Sequence, residues 1–196
     1  MSEDGANKSR RRFLTGAVSV VGGVGVAYTA VPFLSYWSPS ARTRAAGAPV
    51  EVDTSTLRPG QKINLTWRGQ PVWVIRRSEA AVESLPEIND RLRDPDSTVA
   101  SQQPPYAQNI YRSIDPEFLV LVPICTHLGC IPSFMPQPGS LDTNWPGGLF
   151  CPCHGSRFDM AGRVYSGVPA PTNLVVPPYR MADDGLIVVG EDEEAA

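Results

Sequence analysis

The longest apolar segment of the 196-residue chain lies near its start, where no residue from 14 to 37 is charged. At about 1.5 Å per helical residue this segment reaches roughly 36 Å, enough to cross a hydrocarbon core of about 30 Å. Tyr36 and Trp37 close it, as aromatic residues do at a membrane interface. The pattern predicts one transmembrane anchor over residues 14–37.

A cleaved secretory signal is the alternative, because Ala46-Gly47-Ala48 resembles a cleavage site. The apolar run is longer than the roughly 7 to 15 residues of such signals, and Pro49 would follow the cut. We therefore expect the anchor to be retained. Residues 38–49 are small and polar without apolar periodicity, which predicts a linker that spans at most about 40 Å when extended.

Beyond the linker, apolar positions recur in short runs typical of strands. Residues 61–67 and 70–76 flank Arg68-Gly69 and predict a hairpin. Further short strands are predicted at 118–124, 149–150, 174–176 and 186–189, a short helix at 80–90, and a polar, proline-rich loop at 91–108. The chain has 20 prolines and 17 glycines, which favour turns over long helices. We predict an all-β domain of small stacked antiparallel sheets over residues 50–196, with an acidic, solvated end from Glu191.

Charge is distributed unevenly along the chain. Basic residues cluster before the apolar segment, whereas the chain from Ala45 onward has 11 basic and 18 acidic residues, a net charge of −7. Such a domain would be repelled by phosphates, so nucleic acid is excluded as a partner. Residues 9–14, Ser-Arg-Arg-Arg-Phe-Leu, look like a twin-arginine export signal, although these arginines could instead only set orientation. We expect residues 1–13 in the cytoplasm and the domain in the periplasm, exported after folding with its cofactor.

All four cysteines and both histidines of the chain fall in two short segments. The segments are Cys125-Thr126-His127-Leu128-Gly129-Cys130 and Cys151-Pro152-Cys153-His154-Gly155-Ser156. This clustering indicates metal ligation. Cys-x-His and Cys-x-x-His supply two thiolates and two imidazoles, which suit either tetrahedral zinc or a [2Fe-2S] centre with one histidine-ligated iron. Six candidate ligands exceed the four that either site requires.

The two segments resemble the signature segments of the Rieske iron-sulfur family, specifically its cytochrome bc (ubiquinol-cytochrome c reductase) branch. The resemblance extends through residues 92–97, Leu-Arg-Asp-Pro-Asp-Ser, and 118–122 to the C-terminal strands. It implies one [2Fe-2S] cluster in a cluster-binding subdomain of about residues 120–170, covered by a proline-rich loop at 167–171. The implied pairings are Cys125 and Cys151 on one iron, His127 and His154 on the other, and a disulfide between Cys130 and Cys153.

The resemblance also implies a function in a bacterial inner-membrane complex, which in this family is dimeric. The domain would accept an electron and a proton from quinol at cytochrome b and pass the electron to cytochrome c1, moving on residues 38–49 as a hinge. His154 would contact the quinol, with Leu128 and Gly129 in the exposed docking tip. Ser156 would donate a hydrogen bond to a cluster sulfide, which favours the reduced cluster.

The chain departs from the family pattern at two positions. Val168 stands where a glycine often precedes Pro-Ala-Pro, which makes the local backbone of that loop less predictable. Phe158 stands where high-potential members often have a tyrosine that donates a hydrogen bond to a ligand sulfur. We therefore expect a lower midpoint potential than in tyrosine-containing relatives. The alternative is that Phe158 only packs in the core while another donor compensates.

Three other classes share part of this pattern. A Rieske ferredoxin or oxygenase domain needs the four ligands but neither the extra cysteine pair nor an anchor. A second alternative is a Rieske subunit of another periplasmic oxidoreductase, such as an arsenite oxidase. Co-purification with cytochrome b would distinguish the cytochrome bc subunit from this alternative. A structural zinc module would give no EPR signal on reduction.

Overall fold

The computed structural model describes residues 7–182 and 185–191. The chain forms two compact units, one up to residue 45 and one from Ala46 onward. The first is helical. The second contains three small antiparallel sheets, so the predicted all-β class is confirmed.

Helix α1, Lys8–Tyr36, carries the apolar segment. The side chain of Asn7 caps it by accepting hydrogen bonds from the backbone N–H groups of Ser9 and Arg10. Within residues 7–182 and 185–191, α1 is the one helix long and apolar enough to cross a membrane. The twin-arginine-like segment forms the first turns of the same helix, which therefore begins before the predicted anchor.

A second helix, α2, occupies Ala41–Ala46, within the predicted linker of residues 38–49. The hydroxyl oxygen of Ser40 accepts a hydrogen bond from the N–H of Thr43, as an N-cap does. Alanine and arginine are good helix formers, and they make up most of this segment. Because a helical residue advances about 1.5 Å rather than about 3.4 Å, α2 shortens the reach expected of residues 38–49.

Within the described residues, nine strands build the three sheets of the second unit. In the first sheet, the order is β1 (Val50–Asp53), β9 (Leu186–Val189), β8 (Tyr179–Met181). In the second, it is β2 (Lys62–Trp67), β3 (Gln70–Arg76), β4 (Phe118–Leu121). In the third, it is β5 (Ser133–Met135), β6 (Gly148–Phe150), β7 (Arg157–Phe158). Because β9 lies between β1 and β8, the two ends of the domain meet in one sheet.

The predicted hairpin is confirmed by strands β2 and β3. Trp67 pairs with Gln70 across a two-residue turn, in which Arg68 and Gly69 both have positive φ angles of 51° and 75°. This is the type I′ geometry that matches the twist of paired strands, and Gly69 adopts it without steric cost.

Strand β3 is buried on both faces and divides the core. Val72 and Val74 belong to a hydrophobic cluster shared with the first sheet. Trp73 and Ile75 belong to a second cluster, which includes the buried cysteines Cys125 and Cys151. The central sheet therefore supports the predicted metal-binding segments directly.

Helix α3, Glu79–Glu87, confirms the predicted helix near residues 80–90, although it ends earlier and a 3₁₀ turn follows at Asn89–Arg91. The predicted loop at 91–108 contains two further 3₁₀ turns, Ala100–Gln102 and Pro105–Ala107.

The strand predicted at 174–176 is wrong. Leu174 and Val176 donate their N–H groups to Gly162 and Gln102, which lie in different segments, and only Val175 forms an isolated bridge, to Val122. A segment whose hydrogen bonds diverge in this way cannot join one sheet.

The third sheet lies within the cluster-binding subdomain predicted at about residues 120–170, so the chain leaves the base after β4 and returns to it through β8. The bounds of this subdomain, and those of the anchor and linker, remain predictions. Of the predicted acidic end, Glu191 forms an ion pair with Arg180 at 3.0 Å, and residues 192–196 lie outside the described part of the chain.

Candidate metal centre

The first metal-binding segment forms a tight loop after β4. The N–H of Cys125 donates to the carbonyl of Cys130 at 2.8 Å, and the carbonyl of Cys125 accepts from the N–H of Gly129 at 2.9 Å. Gly129 has a φ of 84°, a conformation that a residue with a Cβ rarely adopts. Leu128 and Gly129 of this loop are exposed, whereas Thr126 and His127 are half-buried.

The second segment, between β6 and β7, repeats the same hydrogen-bond pattern. The N–H of Cys151 donates to the carbonyl of Ser156 at 2.8 Å, and its carbonyl accepts from the N–H of Gly155 at 2.9 Å. Gly155 has a φ of 78°. Each cysteine thus lies at the base of its loop, and each histidine lies farther out.

A disulfide between Cys130 and Cys153 joins the two loops, with the Cα atoms 6.7 Å apart. The predicted pairing is confirmed. Three cysteine sulfurs, those of Cys130, Cys151 and Cys153, lie within 4.8 Å of one another, but the disulfide occupies two of them.

The other two cysteines, Cys125 and Cys151, are unpaired and only 2% exposed. Burial raises the pKa of the Cys125 thiol, and the neighbouring thiol of Cys151 acts in the same direction. Two adjacent buried thiols become thiolates readily only when a cation balances their charge. This pair therefore fits a metal-bound state.

The histidines lie on the outer side of the same loops. Their ring centroids are 4.7 Å apart, with the ring planes nearly perpendicular. His127 is half-buried and His154 is exposed. Two buried thiols behind two outward imidazoles are a donor set that fits a [2Fe-2S] cluster with one histidine-ligated iron.

The proline-rich loop at 167–171 is fastened to both metal-binding loops. The hydroxyl of Ser156, fully buried, accepts a hydrogen bond from the N–H of Ala170 at 3.0 Å. The hydroxyl of Thr126 donates to the carbonyl of Thr172 at 2.7 Å. Each loop thus supplies one hydroxyl that holds the segment beside the site, a role for Thr126 that the sequence analysis did not identify.

Three buried arginines converge on residues 159–163, directly after β7. Arg163 pairs with Asp159 at 2.7 Å, both fully buried, while Arg77 and Arg112 donate to the carbonyls of Met160 and Ala161. Burial lowers the pKa of Arg77 and Arg112 to about 10. The sequence analysis missed these residues, for which the i, i+4 spacing of Asp159 and Arg163 is the only local signal.

The exposed tip of the site is apolar. Leu128 and Ile131 are 71% and 55% exposed, and Gly129 lies between them. No residue from 124 to 133 is charged. Ile131 extends the tip that the sequence analysis placed at Leu128 and Gly129.

Comparison with known proteins identifies the family. Residues 49–180 match the Rieske [2Fe-2S] domain family, and residues 1–40 match the ubiquitinol-cytochrome C reductase Fe-S subunit TAT signal. The ubiquinol-cytochrome c reductase iron-sulfur subunit of Allochromatium vinosum is 53% identical over 198 residues, covering 100% of this chain and 95% of that protein. The chain belongs to the ubiquinol-cytochrome c reductase iron-sulfur subunit family.

Other members of the ubiquinol-cytochrome c reductase iron-sulfur subunit family are similar over nearly the whole chain. The subunit of Blastochloris viridis is 43% identical and covers 96% of this chain and 97% of its own length. A solved chain of a hyperthermophilic respiratory Complex III is 26% identical, with a TM-score of 0.49, covering 89% of this chain and 98% of that one.

Family membership establishes the coarse function. The chain is the iron-sulfur subunit of a quinol-oxidising oxidoreductase, complex III, with one [2Fe-2S] cluster as its cofactor. Cytochrome b and cytochrome c1 are the partners that this membership implies. The signal match and helix α1 make it a membrane-anchored protein. A zinc module, a ferredoxin and an oxygenase domain are therefore set aside.

Proposed function

We propose that this chain accepts one electron, together with a proton, from quinol at the cytochrome b site and passes the electron to cytochrome c1. The observation that carries the proposal is the exposed ring of His154 beside His127, in front of two buried, unpaired cysteines. The bound [2Fe-2S] cluster supplies a one-electron acceptor, whose neutral imidazole ligands favour the reduced form.

Cys125 and Cys151 hold one iron, and His127 and His154 hold the other. The two cysteines are buried, and the iron they hold would balance the charge of their thiolates. His127 is half-buried and His154 is exposed, so the two imidazoles would hold the iron on the outer side. We assign the cysteines to one iron and the histidines to the other because the cysteines are the more deeply buried pair.

His154 would contact the quinol, and its outward ring nitrogen, when it carries no proton, would accept the proton of the quinol hydroxyl. The exposure of the ring supports this role, because a proton acceptor must reach within hydrogen-bond distance of the quinol hydroxyl. Leu128 and Gly129 form the docking tip on cytochrome b. Because no residue from 124 to 133 is charged, this surface can be buried against cytochrome b without leaving a charged side chain unpaired.

Ser156 donates a hydrogen bond toward a cluster sulfide. Its oxygen already accepts the N–H of Ala170, so its own hydrogen remains available for a second partner. A hydrogen bond from Ser156 also favours the charged form of the Cys125 thiol, although burial, the larger influence, raises the pKa of that thiol overall. This environment supports a hydrogen bond that favours the reduced, more negative site.

The N-terminus lies in the cytoplasm and the cluster domain in the periplasm of a bacterium. The basic residues 8–12 at the start of α1 favour the cytoplasmic side. Residues 38–49, including α2, serve as the hinge for movement of the domain between the two cytochromes of a dimeric complex. Protease added to spheroplasts should cleave the domain and spare the N-terminal segment; the reverse pattern would contradict this orientation.

EPR spectroscopy of membranes with and without a quinol-site inhibitor tests the function. The inhibitor should change the line shape of the reduced cluster, because it binds where His154 meets the quinol. Leu128→Asp should abolish this response and retain the signal, whereas the control change Thr56→Asp, at an exposed position between β1 and β2, should retain both. An inhibitor-insensitive spectrum in the unmodified protein, or purification without cytochrome b, would reject the proposal and favour another oxidoreductase.

A further inference from the structure

The proline-rich loop begins beside a segment of the base. The N–H of Arg93 donates to the carbonyl of Val164 at 3.0 Å, and the N–H of Ser166 donates to the carbonyl of Arg91 at 2.8 Å. The chain then turns at Gly167, whose φ is 75°. Residues 91–93 therefore hold the entry to the loop through backbone hydrogen bonds.

Val168, the next residue, is held by the same segment in two further ways. Its carbonyl accepts a hydrogen bond from the guanidinium of Arg93 at 3.1 Å. Its half-buried side chain packs against two hydrophobic clusters, one containing Cys125 and Cys151 and the other containing Trp145 and Tyr165. A glycine at this position would keep the carbonyl contact and lose all of the side-chain packing.

Only Pro169 separates Val168 from Ala170, the residue of the loop that contacts Ser156. Pro169 and Pro171 have nearly fixed φ angles, so a displacement at Val168 moves Ala170 rather than being absorbed between them. Ala170 is fully buried, and its N–H donates to the hydroxyl of Ser156. A loop that shifts would therefore also break this hydrogen bond, in which the N–H of Ala170 orients the hydroxyl of Ser156.

We propose that Arg93 and Val168 are positioning residues that latch the proline-rich loop over the metal centre and thereby orient the hydroxyl of Ser156. The inference rests on the proposed hydrogen bond from Ser156 to the cluster. When the latch is intact, the loop excludes water from the buried side of the site. When it is broken, Ala170 separates from Ser156, and the reduced state loses a hydrogen bond that favours it.

Hydrogen–deuterium exchange of the full-length protein in detergent, read by mass spectrometry, tests the latch. Because Pro169 and Pro171 have no N–H, a peptide over residues 164–172 reports few amides in the loop. Val168→Gly and Arg93→Gln should each accelerate exchange of the Ala170 amide by about tenfold, equivalent to about 1.4 kcal/mol of opening. Both should also lower the midpoint potential, and Arg93→Lys should give an intermediate effect.

Two substitutions elsewhere in the domain serve as controls. Val175→Gly removes a half-buried valine that packs against the hydrophobic cluster shared with the first sheet. Arg58→Gln removes an exposed arginine before β2. Neither should change exchange at Ala170 or the potential. If Val168→Gly does not assemble, Val168→Ala provides the same comparison with a smaller loss of packing.

Exchange in the latch variants equal to that in the controls would overturn the proposal. Faster exchange with an unchanged potential would also overturn it, because the loop would then not act through Ser156. Neither readout needs quinol, so the latch is tested even if the inhibitor experiment rejects the proposed quinol site.

Discussion

Phe158 offers a direct test of how this chain sets its redox potential. The side chain lies in β7, is fully buried, and belongs to the core cluster that contains Cys125 and Cys151. A phenyl ring there shares a hydrophobic cluster with Cys125 and Cys151 and donates no hydrogen bond. Phe158→Tyr adds one hydroxyl to this ring and leaves the four ligands and Ser156 in place.

The expected effect follows from the energy of one hydrogen bond. A bond that favours the reduced cluster by about 1 kcal/mol raises the midpoint by about 40 mV, since 59 mV corresponds to a tenfold change for one electron. If the new hydroxyl finds no acceptor, it instead costs about 1–3 kcal/mol of folding free energy. The thermal midpoint of the variant therefore shows which of the two outcomes occurs.

Redox titration of the EPR signal measures the shift, and Phe134→Tyr is the matched control. Phe134 is half-buried, packs against the same cluster, and meets Trp73 edge-on with the ring centroids 6.2 Å apart, but it lies in β5 rather than two residues after Ser156. We expect a rise in Phe158→Tyr alone. An unchanged or lower midpoint with an intact cluster, or an equal rise in the control, would refute the reasoning.

Three further predictions concern the stability of the site. Cys130→Ser or Cys153→Ser should lower cluster content and destabilise the domain by about 2–4 kcal/mol, because the bridge closes a long loop; unchanged iron content and thermal unfolding would contradict this. His154→Ala should abolish the cluster while Arg157→Gln, which breaks a partly exposed ion pair, should only tune it; equal iron loss in both would argue against the ligand assignment. Tyr165→Phe should increase the free energy of unfolding by about 1 kcal/mol, because the buried hydroxyl has no hydrogen-bond partner within the described residues. Burial also raises the pKa of Tyr165 to about 12, so this tyrosine ionises at lower pH in the unfolded chain than in the folded one. The unmodified protein should therefore lose stability between about pH 10 and 12, and Tyr165→Phe should lose less. An equal fall in the thermal midpoints of both proteins over this range would exclude the effect.

Local patterns along the chain were sufficient for several parts of the structure. The uncharged run after the arginines predicted α1, and the Arg68-Gly69 turn between two β-rich runs predicted the hairpin. The two Cys/His segments, through their resemblance to a family, predicted the disulfide that the structure contains. Each of these features depends on residues close in sequence or on a recognisable motif, so no knowledge of distant contacts was needed.

Other features depend on contacts between distant segments. The apolar run at 174–176 failed as a strand because its N–H groups bond to residues 162 and 102, which no local periodicity reveals. The available hydrogen-bond partners, rather than the side-chain pattern, determined the backbone of this segment.

The surroundings of the metal centre were decided by tertiary structure alone. Arg163 is buried with Asp159 and also reaches Leu85, 78 residues away, while Arg93 reaches Val168, 75 residues away. A sequence pattern identifies the atoms able to bind a metal, because ligand spacing is local. It does not identify which distant side chains are desolvated together around those atoms, since burial of a charge depends on every segment that packs against it.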